Sequence, residues 1–172
     1  MPFKSPVQRG DIDRIADERD ALSQQLDFQR ATLLGKLDGL DEEQLRRPMT
    51  PSGLSLLGLV KHLAATEHGW FLNRYAGLPD PSPFGDDPDD DPDDDFRIAP
   101  DETADGIVAA YLRTCQRARE LIDGGDLDAV VRLPGGASVN LRAIVLHMIQ
   151  ETARHDGHAD IMREELDGTT GF

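Results

Sequence analysis

Cysteine is all but missing: Cys115 is the only one in 172 residues. A lone thiol cannot close an internal disulfide, so nothing points to an oxidising compartment. The N-terminus has no apolar run behind basic residues, and no signal peptide is visible. No stretch approaches the ~20 uninterrupted apolar residues that a membrane-spanning helix needs. Positive charge is short too, with 18 Lys and Arg against 33 Asp and Glu and a net charge of −15. A chain this acidic repels phosphate backbones, which argues against nucleic-acid binding through a basic face. These absences predict a cytoplasmic protein. Its 172 residues fit one domain, 1–172, with a core that needs no disulfides.

The negative charge is concentrated. Asp86 to Asp95 holds eight Asp and two Pro, and without it the charge falls to about −7, ordinary for a domain of this size. This block lies in a Pro- and Asp-rich stretch, residues 77–100, that cannot pack a core and is expected to be a long exposed loop. It lacks the central Gly and terminal Glu of an EF-hand, so the expectation is a solvated linker, with adventitious cation binding as the alternative.

Helical periodicity accounts for most of the remainder. Residues 1–10 lack periodicity and read as a mobile terminus. Ile15, Leu22, Leu26, Leu33, Leu37 and Leu40 recur at helical spacing, predicting an amphipathic helix from Asp11 or Asp13 to Asp38-Gly39. Asp41 to Gln44 has the form of a capping box for one short helical turn. A second long helix is expected over Leu54–Ala76 and a third from after Asp101 to about Asp123. The third carries Cys115 on its apolar stripe, as a buried structural thiol. Residues 130–139 read as a loop, although a small hairpin also fits them. Asn140 is the expected N-cap of a fourth helix, Leu141–Leu166, which Asp167-Gly168 closes. Four long helices predict an all-α four-helix bundle.

The fourth helix carries the chemistry. It holds three of the five histidines, and His147, Glu151, His155 and His158 follow one another at spacings of four, four and three. Those spacings put them on one helix face, with Ile144 and Met162 at its apolar ends. Helical bundles build metal sites from facing helices. Glu151 and His155 can reach one ion together, and His62 on the second helix would complete three ligands. Three protein ligands leave open positions, as in a catalytic metal site. No further inward carboxylates appear on the first or third helix, which disfavours a dinuclear centre. The competing reading is a hydrogen-bonded core histidine beside a surface Glu–His pair.

Two segments carry a resemblance across nearly the whole chain. Lys61-His62-Leu63-Ala64 with Trp70-Phe71, and the His147, Glu151, His155, His158 series, resemble the DinB-like proteins, which include the mycothiol-dependent maleylpyruvate isomerases. The resemblance implies an up-down-down-up four-helix bundle with one divalent ion on His62, Glu151 and His155. Zn²⁺ is the first choice, and Ni²⁺, Fe²⁺ or Co²⁺ also suit the donors. It further implies activation of a low-molecular-weight thiol such as mycothiol for transfer to an electrophile. His158 would act as the catalytic proton shuttle, or else as a fourth ligand or a partner of one. Relatives commonly form homodimers. The chain ends soon after the fourth helix, without the isomerase's second domain, which argues against isomerase activity. A metal-dependent hydrolase and a non-enzymatic metal-binding protein are the alternatives.

Overall fold

The computed structural model describes residues 2–84 and 94–171. Helix α1 spans Glu18–Gly35 and α2 spans Glu42–Arg46. Helix α3, Leu56–Glu67, runs on as a π-helix over His68–Tyr75. A single 3₁₀ turn, Asp94–Phe96, precedes α4, Ala104–Gly124. Strands β1 (Val130–Arg132) and β2 (Ser138–Asn140) form an antiparallel hairpin, and α5 spans Leu141–Asp167. The protein is mostly helical, as the periodicity predicts, with one small two-stranded sheet among the described residues.

The helix starts follow from their caps. Asp17, Ser55, Thr103 and Asn140 each accept a hydrogen bond from the backbone N–H three residues on, satisfying a donor that helix geometry leaves unpaired. Asp41 and Gln44 form the expected reciprocal capping box. At the far end of α5, Gly168 adopts φ +78°, a left-handed C-cap that a side chain would strain.

Several boundaries differ from expectation. The first helix begins at Glu18, and Ile15, placed on its apolar stripe by spacing, is 93% exposed. Asp17 captures the helix start instead, because its carboxylate pairs with the Asp20 N–H. After Gly35 the chain tightens into i→i+3 turns as far as Leu40, and Gly39 takes φ +81°. Residues 130–139 form the hairpin rather than the loop. Gly135 and Gly136 both sit at φ near +90°, a conformation that lets the chain reverse while Val131 pairs with Val139. The stretch 1–10, expected as a mobile terminus, makes defined contacts: Phe3 exchanges backbone hydrogen bonds with Gly39 and Leu40. Of the acidic block, residues 86–93 lie outside the described residues.

The buried apolar residues form one cluster, with α1 against α5, α3 against α4, and α3 also against α5. Leu26 and Leu33 of α1, and Leu37 just beyond it, share that core with Ile144, Met148 and Met162 of α5. Cys115 is buried within it, as expected, and burial raises its thiol pKa far above the usual range. No helix among the described residues is long and apolar enough to cross a membrane.

Candidate metal centre

Helix α3 presents His62 to α5, and α5 presents Glu151 and His155 back. The three residues bring ligand-type atoms within 4.8 Å of one another. Glu151 Oε1 lies 3.2 Å from His155 Nε2 and 3.8 Å from His62 Nε2. The two imidazole rings stand edge to face, 4.9 Å apart. Donors about 2.0–2.2 Å from a tetrahedral ion lie roughly 3.3–3.6 Å from each other, so the two Glu151 distances bracket the spacing that one small divalent cation requires. The sequence spacing of Glu151 and His155 made this pair legible, and the fold brings to it His62, the third residue expected from the second helix.

Electrostatics prepare the donors. Burial, reinforced by the neighbouring His62, lowers the His155 pKa to about 4, against the opposing pull of Glu151. His155 therefore presents a neutral imidazole near pH 7, the form that ligates metals. Each histidine also has its other nitrogen engaged. His62 Nδ1 lies 2.9 Å from Asp95 Oδ2, and His155 Nδ1 lies 3.3 Å from His158 Nδ1. The Thr66 hydroxyl, one turn along α3, is 3.4 Å from His62 Nε2.

The remaining sequence candidates divide. His158 is exposed on the rim of the site and shares a cleft of about 250 Å³ with His155, Phe96, Leu54 and Arg97. His147 does not join the group. Its ring packs edge-on against Trp70 at 4.9 Å. His68 is buried elsewhere, with Nδ1 3.0 Å from Asn73 Oδ1. Arg154 is exposed, 3.8 Å from Glu151 Oε2. Gly157, in mid-helix, has open space around its Cβ position.

Two groups escaped the sequence reading. Asp95 and Phe96 come from the end of the acidic stretch, and Phe96 stacks on His62 with ring centres 3.9 Å apart. The one usable signal was an aromatic residue closing a run of aspartates. The second group is buried. Arg30 of α1 donates to both oxygens of Glu67 at 2.9 and 2.5 Å, and Glu67 is fully buried. Arg30 also donates to Asp27, which accepts from Arg119. On α5, Asp156 is buried with neither carboxylate oxygen hydrogen-bonded among the described residues, and burial raises its pKa to about 8.

The donor set of two imidazoles and a carboxylate beside an open cleft can hold a divalent ion with room for a further ligand. No curated protein matches the chain. A family model described as mycothiol-S-transferase matches residues 21–168, from within α1 to the cap of α5. The chain belongs to this family, a DinB-like one.

Proposed function

We propose that the protein is a metal-dependent transferase that joins the sulfur of a low-molecular-weight thiol, mycothiol or a close analogue, to an electrophile. The observation that carries this reading is the convergence of His62, Glu151 and His155 on one another, beside a cleft that His155 lines, in a chain of the mycothiol-S-transferase family. The scaffold we infer is an up-down-down-up four-helix bundle of α1, α3 with its π-helical extension, α4 and α5. Contacts of α1 with α5, α5 with α3, α3 with α4 and α4 with α1 support it.

His62, Glu151 and His155 would hold one divalent ion, Zn²⁺ first and Ni²⁺, Fe²⁺ or Co²⁺ otherwise. Such an ion lowers the pKa of a bound thiol towards neutrality. His158 would move the proton. Its Nδ1 faces His155, which leaves Nε2 to exchange a proton with the cleft. The thiol proton passes to His158 as the new carbon–sulfur bond forms. The bond to the leaving group breaks with its electron pair, and the proton returns to that group or to solvent. Phe96 and Leu54 give the cleft an apolar wall that suits the electrophile's carbon skeleton.

The test is conjugation of mycothiol to a generic electrophile such as a chlorodinitrobenzene or a bimane, with the metal-loaded protein. Turnover that depends on both thiol and metal, and is lost in His155→Ala, supports the reading. Thiol-independent ester or amide hydrolysis by the same protein would replace it with a hydrolase. Metal binding without turnover on either panel would leave a binding protein.

A further inference from the structure

The turn that closes the acidic stretch is fastened to α3 at three successive points. Gly58 lies so close under it that a Cβ there would stand 2.4 Å from the Phe96 carbonyl oxygen. Lys61, itself buried, donates to the Arg97 carbonyl at 2.6 Å and pairs with Glu102 at 2.9 Å. Glu102 in turn accepts from the Ala99 N–H at 2.7 Å. His62 meets the same turn twice, through the Phe96 ring stacked on it and through Asp95. A glycine, a lysine and a histidine on α3 thus bind a segment more than thirty residues away.

We propose that Asp95 is a positioning residue that fixes His62 in the tautomer protonated on Nδ1, so that the Nε2 lone pair is directed at Glu151 and His155. This rests on the reading of His62 as a ligand. A neutral imidazole carries one N–H, and an anionic acceptor at Nδ1 holds the proton there and makes the opposite nitrogen a stronger donor to metal. Asp95 Oδ2 is 2.9 Å from Nδ1, whereas Nε2 faces the ligand group, 3.8 Å from Glu151 Oε1. The other carboxylate oxygen, Oδ1, is buried and has no hydrogen-bond partner among the described residues. Among the described residues the Asp95 carboxylate thus meets His62 as its hydrogen-bond partner, and the flat stack of Phe96, tilted by 13°, keeps the imidazole plane from turning away. The two histidines are held by different means, since His155 has another imidazole at its Nδ1.

The experiment uses the full chain labelled with ¹⁵N-histidine. Long-range ¹H–¹⁵N spectra at alkaline pH, metal-free, identify the His62 tautomer; calorimetric titration then gives the Zn²⁺ dissociation constant. Wild type should show Nδ1–H at His62. Asp95→Ala should move His62 towards Nε2–H, the form free imidazoles favour, and weaken Zn²⁺ binding 10- to 100-fold. Asp95→Asn keeps an acceptor but removes the charge, so it should retain the tautomer with a smaller loss of affinity. Asp94→Ala, in the same turn but exposed, should change neither. An Nε2–H tautomer in wild type, or Asp95→Ala with unchanged tautomer and unchanged affinity, would overturn the proposal. Wild type that binds no Zn²⁺ would instead sink the metal reading, and the metal-free spectrum would still decide the role of Asp95.

Discussion

Two polar groups sit among the packed helices, and they are built on opposite plans. Arg30 and Glu67 form a closed pair: two parallel hydrogen bonds, opposite charges, and almost no exposure of either residue. His62, Glu151 and His155 converge beside a cleft that His155 lines, with the exposed Arg154 3.8 Å from Glu151 Oε2. The first group satisfies itself. The second gathers two imidazoles and a carboxylate, whose lone pairs are favourable together only with protons or a cation between them. Burial of polar groups therefore does not by itself mark a functional site; a donor set that a bound cation would complete, beside an opening, is the better guide.

The difference has consequences that can be measured. The largest effect should come from breaking the closed pair. Arg30→Met leaves the Glu67 carboxylate buried and unpaired, and denaturant unfolding should show a loss of about 3–5 kcal/mol. Adding Glu67→Leu removes the stranded charge and should recover most of that loss, which a double-mutant cycle would quantify.

Occupancy of the open group comes next. Zn²⁺ at about 100 times its dissociation constant should stabilise wild type by ~2.7 kcal/mol, seen as a rise in melting temperature, and should leave His155→Ala unmoved. Equal stabilisation of both proteins would place the ion somewhere else.

Asp156 separates the two plans further, since it is buried like Glu67 yet has no hydrogen-bond partner among the described residues. Its pKa rises from an ordinary carboxylate value to about 8 on folding, chiefly through burial and then through Asp160. With a raised folded pKa, stability is greatest below pH ~4, where both states are protonated, and declines as pH rises towards 8. Asp156→Asn should match wild type near pH 4 and exceed it by roughly 1–3 kcal/mol at pH 9. Parallel stability curves across that range would contradict the assignment. The smallest effect is the one expected at Cys115, whose burial disfavours the thiolate. Aromatic disulfide reagents should fail to label it in the native protein and should react fully once it unfolds.

How much of this was legible in the sequence depends on separation along the chain. Glu151, His155 and His158 are one helical turn apart, and helical geometry alone places them together. The caps at Asp41 and Asn140 were equally local, and both form as read. The hairpin hung on a glycine pair that suits a loop as well as a turn. Asp95 was hidden among chemically identical aspartates, 33 residues from the histidine it meets. Arg30 and Glu67 were invisible for a different reason. Charged residues on helices ordinarily face water, and only the assembled core shows that these two face each other. The change to π-helix at His68 had no periodic signal, because the apolar residues continue through it.

Elemental analysis of untagged protein, comparing wild type with His155→Ala, tests the account most directly. About one equivalent of a divalent metal per chain in wild type, absent from a variant that still folds, is the predicted result. No metal in wild type, even after reconstitution with Zn²⁺ and with Ni²⁺, would contradict it and reduce the His62, Glu151 and His155 group to a hydrogen-bonded network.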